Sequence, residues 1–99
     1  MLNHVVLLKW KAGTPSSAID QVTAEFSKLP NSISQIRGYS FGRNMGLDGS
    51  NFDYALVARF SSRKDFEEYV VHPAHQTFMA KFTNDIVDDY GAVQYIEAS

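Results

Sequence analysis

The chain has 99 residues, 44% of them apolar, with nine Lys and Arg against eleven Asp and Glu and no cysteine. That length builds one hydrophobic core, so a single domain over residues 1–99 is expected. Scattered basic residues under a formal charge of −2 argue against a nucleic-acid partner, and the missing cysteines exclude disulfides, thiolate nucleophiles and thiolate zinc sites.

Met1 leads straight into an alternating apolar run with no basic region, signal-length apolar stretch or cleavage site. With no membrane-spanning stretch further on, a soluble, cytoplasmic protein with no membrane partner is expected. His4 to Lys11 reads as a strand, with His4, Val6, Leu8 and Trp10 on one face and Val5, Leu7 and Lys9 on the other. Both faces are largely apolar and both need cover. Thr14-Pro15 then supplies an N-cap with proline at the first helical position. Ile19, Val22, Phe26 and Leu29 recur at helical spacing until Pro30 ends the helix.

A polar connection from Asn31 to Ile36 leads into a second strand from about Arg37 to Met45, closed by the turn formers Gly46 to Asn51. The third strand, about Phe52 to Phe60, alternates clearly: Phe52, Tyr54, Leu56, Ala58 and Phe60 on one face, Asp53, Ala55, Val57 and Arg59 on the other. Ser62-Arg63-Lys64-Asp65 resembles a capping box and starts a helix carrying Phe66, Tyr69 and Val70. Pro73 breaks it, and a second helix carries Phe78, Phe82 and Ile86. A short strand from Gly91 to Glu97 completes the order β-α-β-β-α-β. That order implies an α+β, ferredoxin-like fold, an antiparallel sheet with its helices on one face. The other face, with Val5, Leu7 and Val57, would be left wet in a monomer, and a two-fold homodimer through that face is expected.

The chemistry concentrates in Tyr69-Val70-Val71-His72-Pro73-Ala74-His75. Two imidazoles and a phenol there share one helix break, and such groups exchange protons near neutral pH or hold a reacting oxygen. Tyr69 falls in the last turn of one helix and His75 in the first turn of the next, whose positive end favours a neutral imidazole able to accept a proton. Each residue also has a plainer reading: His72 capping the broken helix, Tyr69 as a core aromatic, His4 as a strand-edge packing residue. A metal site from His4, His72 and His75 would lack the carboxylates or thiolates that make such a site convincing, so none is expected.

His4 to Lys11, Phe41-Gly42 and Tyr69 to His75 with Phe78 following resemble the stress-responsive A/B barrel (Dabb) family of dimeric α+β barrel proteins, from the first strand to about Phe82. Some plant members of that family are polyketide cyclases similar to olivetolic acid cyclase. The resemblance implies His75 as the base that takes an α-proton and Tyr69 as the phenol that holds the carbonyl oxygen. His4, Val6, Leu8, Val22, Phe26, Leu56 and Phe78 would line an apolar substrate pocket. It implies a cofactor-independent cyclase or lyase acting on a polyketide-like carbonyl compound. The alternatives are a ligand-binding or stress-protective dimer without turnover, and a cofactor-free monooxygenase or isomerase of the wider dimeric barrel group.

Overall fold

The computed structural model describes residues 1–49 and 51–98. In chain order it contains β1 (Leu2–Trp10), α1 (Ser16–Phe26), a one-turn α2 (Leu29–Ser32), β2 (Gly38–Arg43), β3 (Tyr54–Phe60), α3 (Arg63–Val71), α4 (Pro73–Phe78) running into a π-helical turn (Met79–Thr83), and β4 (Val87–Ile96). All strand pairs are antiparallel, in the order β2-β3-β1-β4, which is the ferredoxin-like arrangement. Among the described residues no helix is long and apolar enough to cross a membrane.

The alternating faces of β1 and β3 carry the core. Leu8, Trp10, Tyr54, Leu56, Ala58 and Phe60 are buried beneath the helices, whereas Leu7 and Ala55 on the opposite face are exposed. Phe26 projects from α1 to within 4.7–6.1 Å, ring to ring, of Phe78, Phe41, Tyr54 and Tyr39. Full burial of such a ring contributes about 1.5–3 kcal/mol, and its truncation to Ala costs about 3–5 kcal/mol. Tyr54 is only 1% exposed, and its hydroxyl is tethered at 2.8 Å to Thr23 Oγ1, which keeps a deeply placed polar atom satisfied.

Ser62 caps α3 as expected, its hydroxyl accepting from the Asp65 N–H at 3.1 Å. Four boundaries differ from the sequence expectation. Thr14 does not cap α1: its hydroxyl donates to the Lys11 carbonyl at 2.7 Å, and Pro15 takes the N-cap position without a side-chain bond. Pro30 does not end that helix. The helix stops at Phe26, and Pro30 lies in the first turn of α2, where a missing N–H costs nothing. The helix after Pro73 closes at Thr83, so Ile86 lies beyond it, its N–H donating to the Thr83 carbonyl. The last strand is ten residues long, because it pairs along all of β1 with one register shift at Lys9/Trp10.

Candidate active site

A cavity of about 420 Å³ lies between the sheet and the helices, within the usual size of a small-molecule pocket. Its floor is the inner face of the sheet: His4, Val6 and Leu8 from β1, Leu56 from β3, Tyr90 and Ala92 from β4. Phe26, Tyr69, His75, Phe78, Met79 and Thr83 come down from the helical layer, and Asn84, Val87 and Asp88 close one side. Met79 and Thr83 bracket the π-helical turn, whose wider spacing is carried by the Asn84 N–H donating to the Met79 carbonyl at 2.9 Å.

The end of the cavity that carries His75 and Tyr69 follows from the break at Pro73. Proline has no N–H to offer the Tyr69 carbonyl four residues back, and that carbonyl accepts from the His72 N–H instead, at 3.1 Å. The chain turns out of the helix at His72, whose Nδ1 accepts from the Ala74 N–H at 3.0 Å and so caps α4. Ala74 is thereby taken from its own helical partner, the Val70 carbonyl. Two side chains fill that place: His75 through Nδ1 at 3.1 Å and Gln76 through Nε2 at 2.8 Å. A carbonyl oxygen only accepts, so His75 carries its hydrogen on Nδ1, and Nε2 is the nitrogen left to take a proton.

Burial is the main cause that holds the His75 pKa below its ordinary value, with nearby His72 adding to it and the Val70 hydrogen bond opposing it. The helix end invoked from sequence is therefore not needed to explain a neutral His75. The ring packs 4.3 Å from that of Tyr69, at an angle of 36°. Tyr69 is 2% exposed as a residue and still reaches the cavity, and burial pushes its phenol pKa up. Its hydroxyl meets that of Tyr39 at 3.0 Å. His4 completes the group, with its ring 6.2 Å from Tyr69 and 4.9 Å from Phe66. Burial first, and facing His75 second, lower the His4 pKa from 6.5 to about 4. Gln94, opposite His4 on β4, donates its amide to His4 Nδ1 at 2.9 Å.

His75, Tyr69, His4, Val6, Leu8, Phe26, Leu56 and Phe78 thus surround one cavity. Val22 is a correction: it is 1% exposed, packed in the core, and does not line the cavity. It lies one helical turn before Phe26 on the same face of α1, and Phe26 holds the position nearer the pocket. Sequence reasoning missed Tyr39, Gln94 and every β4 and π-turn contribution. Only the register of β4 on β1 could have supplied the strand residues, since Tyr90, Ala92 and Gln94 stand opposite Leu8, Val6 and His4. Among the described residues no group of three or more His, Cys, Asp or Glu is placed to hold a metal ion.

The fold is a ferredoxin-like α+β unit with a cavity between its sheet and its helices. Residues 2–97 match the Stress Responsive A/B Barrel Domain family, and the chain belongs to that family. It is 24% identical over 87 residues to a stress-response A/B barrel domain-containing protein of Arabidopsis thaliana, covering 86% of this chain and 80% of that one. Among solved structures it is similar to a dimeric ferredoxin-like protein of Thermobifida fusca, with a TM-score of 0.86, 32% identity, and 95% and 88% of the two chains covered. It is also similar in fold to the hydroxynitrile lyase of Passiflora edulis, with a TM-score of 0.87, 23% identity, and 98% and 93% covered.

Proposed function

We propose that this protein is a cofactor-independent acid–base catalyst, a cyclase or lyase, acting on an apolar small molecule that carries a carbonyl or an incipient carbonyl. The observation that carries the reading is the tie of His75 Nδ1 to the Val70 carbonyl, which leaves Nε2 as a base on a ring packed against that of Tyr69 in a mostly apolar cavity. In a cyclase step, Nε2 takes a proton from the carbon next to a carbonyl while Tyr69 donates a hydrogen bond to the developing enolate oxygen. The enolate carbon bonds to a second carbonyl of the same chain, and the resulting alkoxide recovers the proton from the imidazolium. In a lyase step on a cyanohydrin, Nε2 takes the hydroxyl proton, the carbon–carbon bond to cyanide breaks, and cyanide leaves with the proton. Both need one neutral imidazole, one oxygen-facing donor and dry walls. A polyketide-like substrate fits the first step, and the lyase of similar fold in Passiflora edulis makes the second worth testing.

We propose further that the working unit is a homodimer joined through the outer face of the sheet. Leu7, Val93 and Tyr95 are exposed there, 37–56% each, and the related Thermobifida fusca protein is dimeric. The enzymatic reading is tested by offering the protein a linear poly-β-ketoacyl thioester and an aromatic cyanohydrin and following products by mass spectrometry. Turnover of either should fall about 10²-fold or more in His75→Ala and in Tyr69→Phe. Saturable binding of both compounds with no turnover would instead make the protein a binding module.

A further inference from the structure

Tyr39 and Tyr69 approach each other from opposite layers, one from β2 and one from α3. On the inner face of the sheet, Tyr39, Ala58 and His4 lie on one cross-strand rung, since Tyr39 and His4 both pair with Ala58. Ala58 has no side chain beyond its methyl group and is fully buried. Tyr69 comes down over this low point of the rung, hydroxyl to hydroxyl with Tyr39 at 3.0 Å and 6.2 Å from the ring of His4.

Two hydroxyls hold two hydrogens, and the contact between them uses one. Neither phenol has another hydrogen-bond partner among the described residues. If Tyr69 donated to Tyr39, the Tyr39 hydrogen would be left with no acceptor among the described residues, in a half-buried position away from the cavity, which Tyr39 does not line. If Tyr39 donates to Tyr69, the remaining hydrogen belongs to the phenol that does line it. We propose that Tyr39 is a positioning residue: it donates to the Tyr69 oxygen and turns the Tyr69 hydrogen into the cavity, so that the site takes a ligand with an acceptor oxygen, a carbonyl or alkoxide, at that point. This deepens the acid–base reading and rests on it for the identity of the ligand. The same arrangement strengthens Tyr69 as a donor, because negative charge gathering on its oxygen is met by the Tyr39 hydrogen. Burial raises both phenols, and the contact with Tyr39 eases Tyr69 back down while that with Tyr69 pushes Tyr39 further up.

The test places difluorotyrosine, a more acidic phenol, at position 69 and follows its ionisation by fluorine NMR in the wild-type background and in Tyr39→Phe. Loss of a donor to the charged form should raise the midpoint by about one to two pH units. Equal midpoints, or a lower one in the variant, would overturn the proposal. Tyr39→Phe keeps the ring packed near Phe26 and Phe41, so the fold should survive. A second arm binds carbonyl-labelled benzaldehyde and reads its carbonyl stretch by infrared difference spectroscopy. The stretch should fall on binding to the wild type, fall less in Tyr39→Phe, and shift least in Tyr69→Phe. Identical stretches in the wild type and Tyr39→Phe would again refute the role of Tyr39. If benzaldehyde bound neither form, the small-carbonyl reading of the cavity would fail, while the fluorine titration would still decide whether Tyr39 supplies a donor to the Tyr69 oxygen.

Discussion

Mild acid should destabilise this fold through His4. The folded chain holds His4 at about 4 against 6.5 when free, because charging the ring means charging it in a buried place that faces His75. Between those two values the unfolded chain binds the extra proton and the folded chain does not, so stability is fully present above 6.5 and is lost as the pH falls toward about 4. At about 1.4 kcal/mol per pH unit the interval bounds the loss at about 3.5 kcal/mol. The ring is partly open to the cavity, where solvent screens the charge, and about 2 kcal/mol is the discounted expectation. His75 is lowered in the same direction and adds a loss of the same sign. Glu97 also destabilises on protonation, since hydrogen bonds from Asn3 and Arg59 depress its pKa, but only below 4.5, at the acid end of the window. Urea unfolding of the wild type and of His4→Phe between about pH 7.5 and pH 4.5 isolates the His4 contribution, as Phe keeps the ring against Phe66 and removes the titrating group. The wild type should lose about 2 kcal/mol more than the variant across that range. Parallel stability curves would show that His4 is not held neutral by the fold, and the cavity would then be wetter than its lining implies.

Replacing Leu7 with Glu puts a charge on the exposed outer face, and in light scattering the wild type should have twice the mass of the chain while the variant sediments as monomer or aggregates; a wild-type monomer at micromolar concentration would end the dimer proposal. Pro73→Ala restores an N–H to the helix and lets Ala74 return to the Val70 carbonyl, which releases His75 from it. Nitrogen NMR of the imidazole should then show His75 changing from the Nδ1–H form to a mixture, with turnover falling about 10-fold to 10²-fold as the base loses its orientation. An unchanged tautomer would mean that the helix break does not set it.

The inner face of β1 and β3 was legible because alternation of period two is a strong signal; it put His4, Val6, Leu8 and Leu56 on that face, and the family resemblance supplied their place at a pocket. The capping of α3 by Ser62 and the break at Pro73 were legible because both act through atoms of their own neighbourhood. The first part of strand β4, before Gly91, was not. Asp88, Asp89 and Gly91 are poor strand formers, and they are tolerated there because β4 is an edge strand whose exposed positions can carry charge. Tyr90 went with that first part, and Ala92, though on the expected strand, could be placed in the cavity floor only by the register of β4 on β1. Ile33 was hidden in the same way: it follows a polar run yet is fully buried, because the one-turn α2 brings it under the helices.

Tyr39 shows a different limit. Its place opposite Ala58 is fixed by the pairing of β2 with β3, and its meeting with Tyr69 by the height of α3 over that rung. Neither is written in local sequence, since both require the sheet and the helix to have docked. The two proposed acid–base groups therefore have different origins. His75 is set by a backbone account that closes within seven residues, from Tyr69 to His75, so its tautomer should persist wherever the Pro73 turn is intact. Tyr69 is set by long-range packing against Tyr39, so its donor direction should be lost first when the sheet and helices loosen. An increase in temperature short of unfolding should then weaken the grip on the ligand oxygen while leaving the imidazole tautomer unchanged, which is the order expected when one group rests on local hydrogen bonds and the other on tertiary contact.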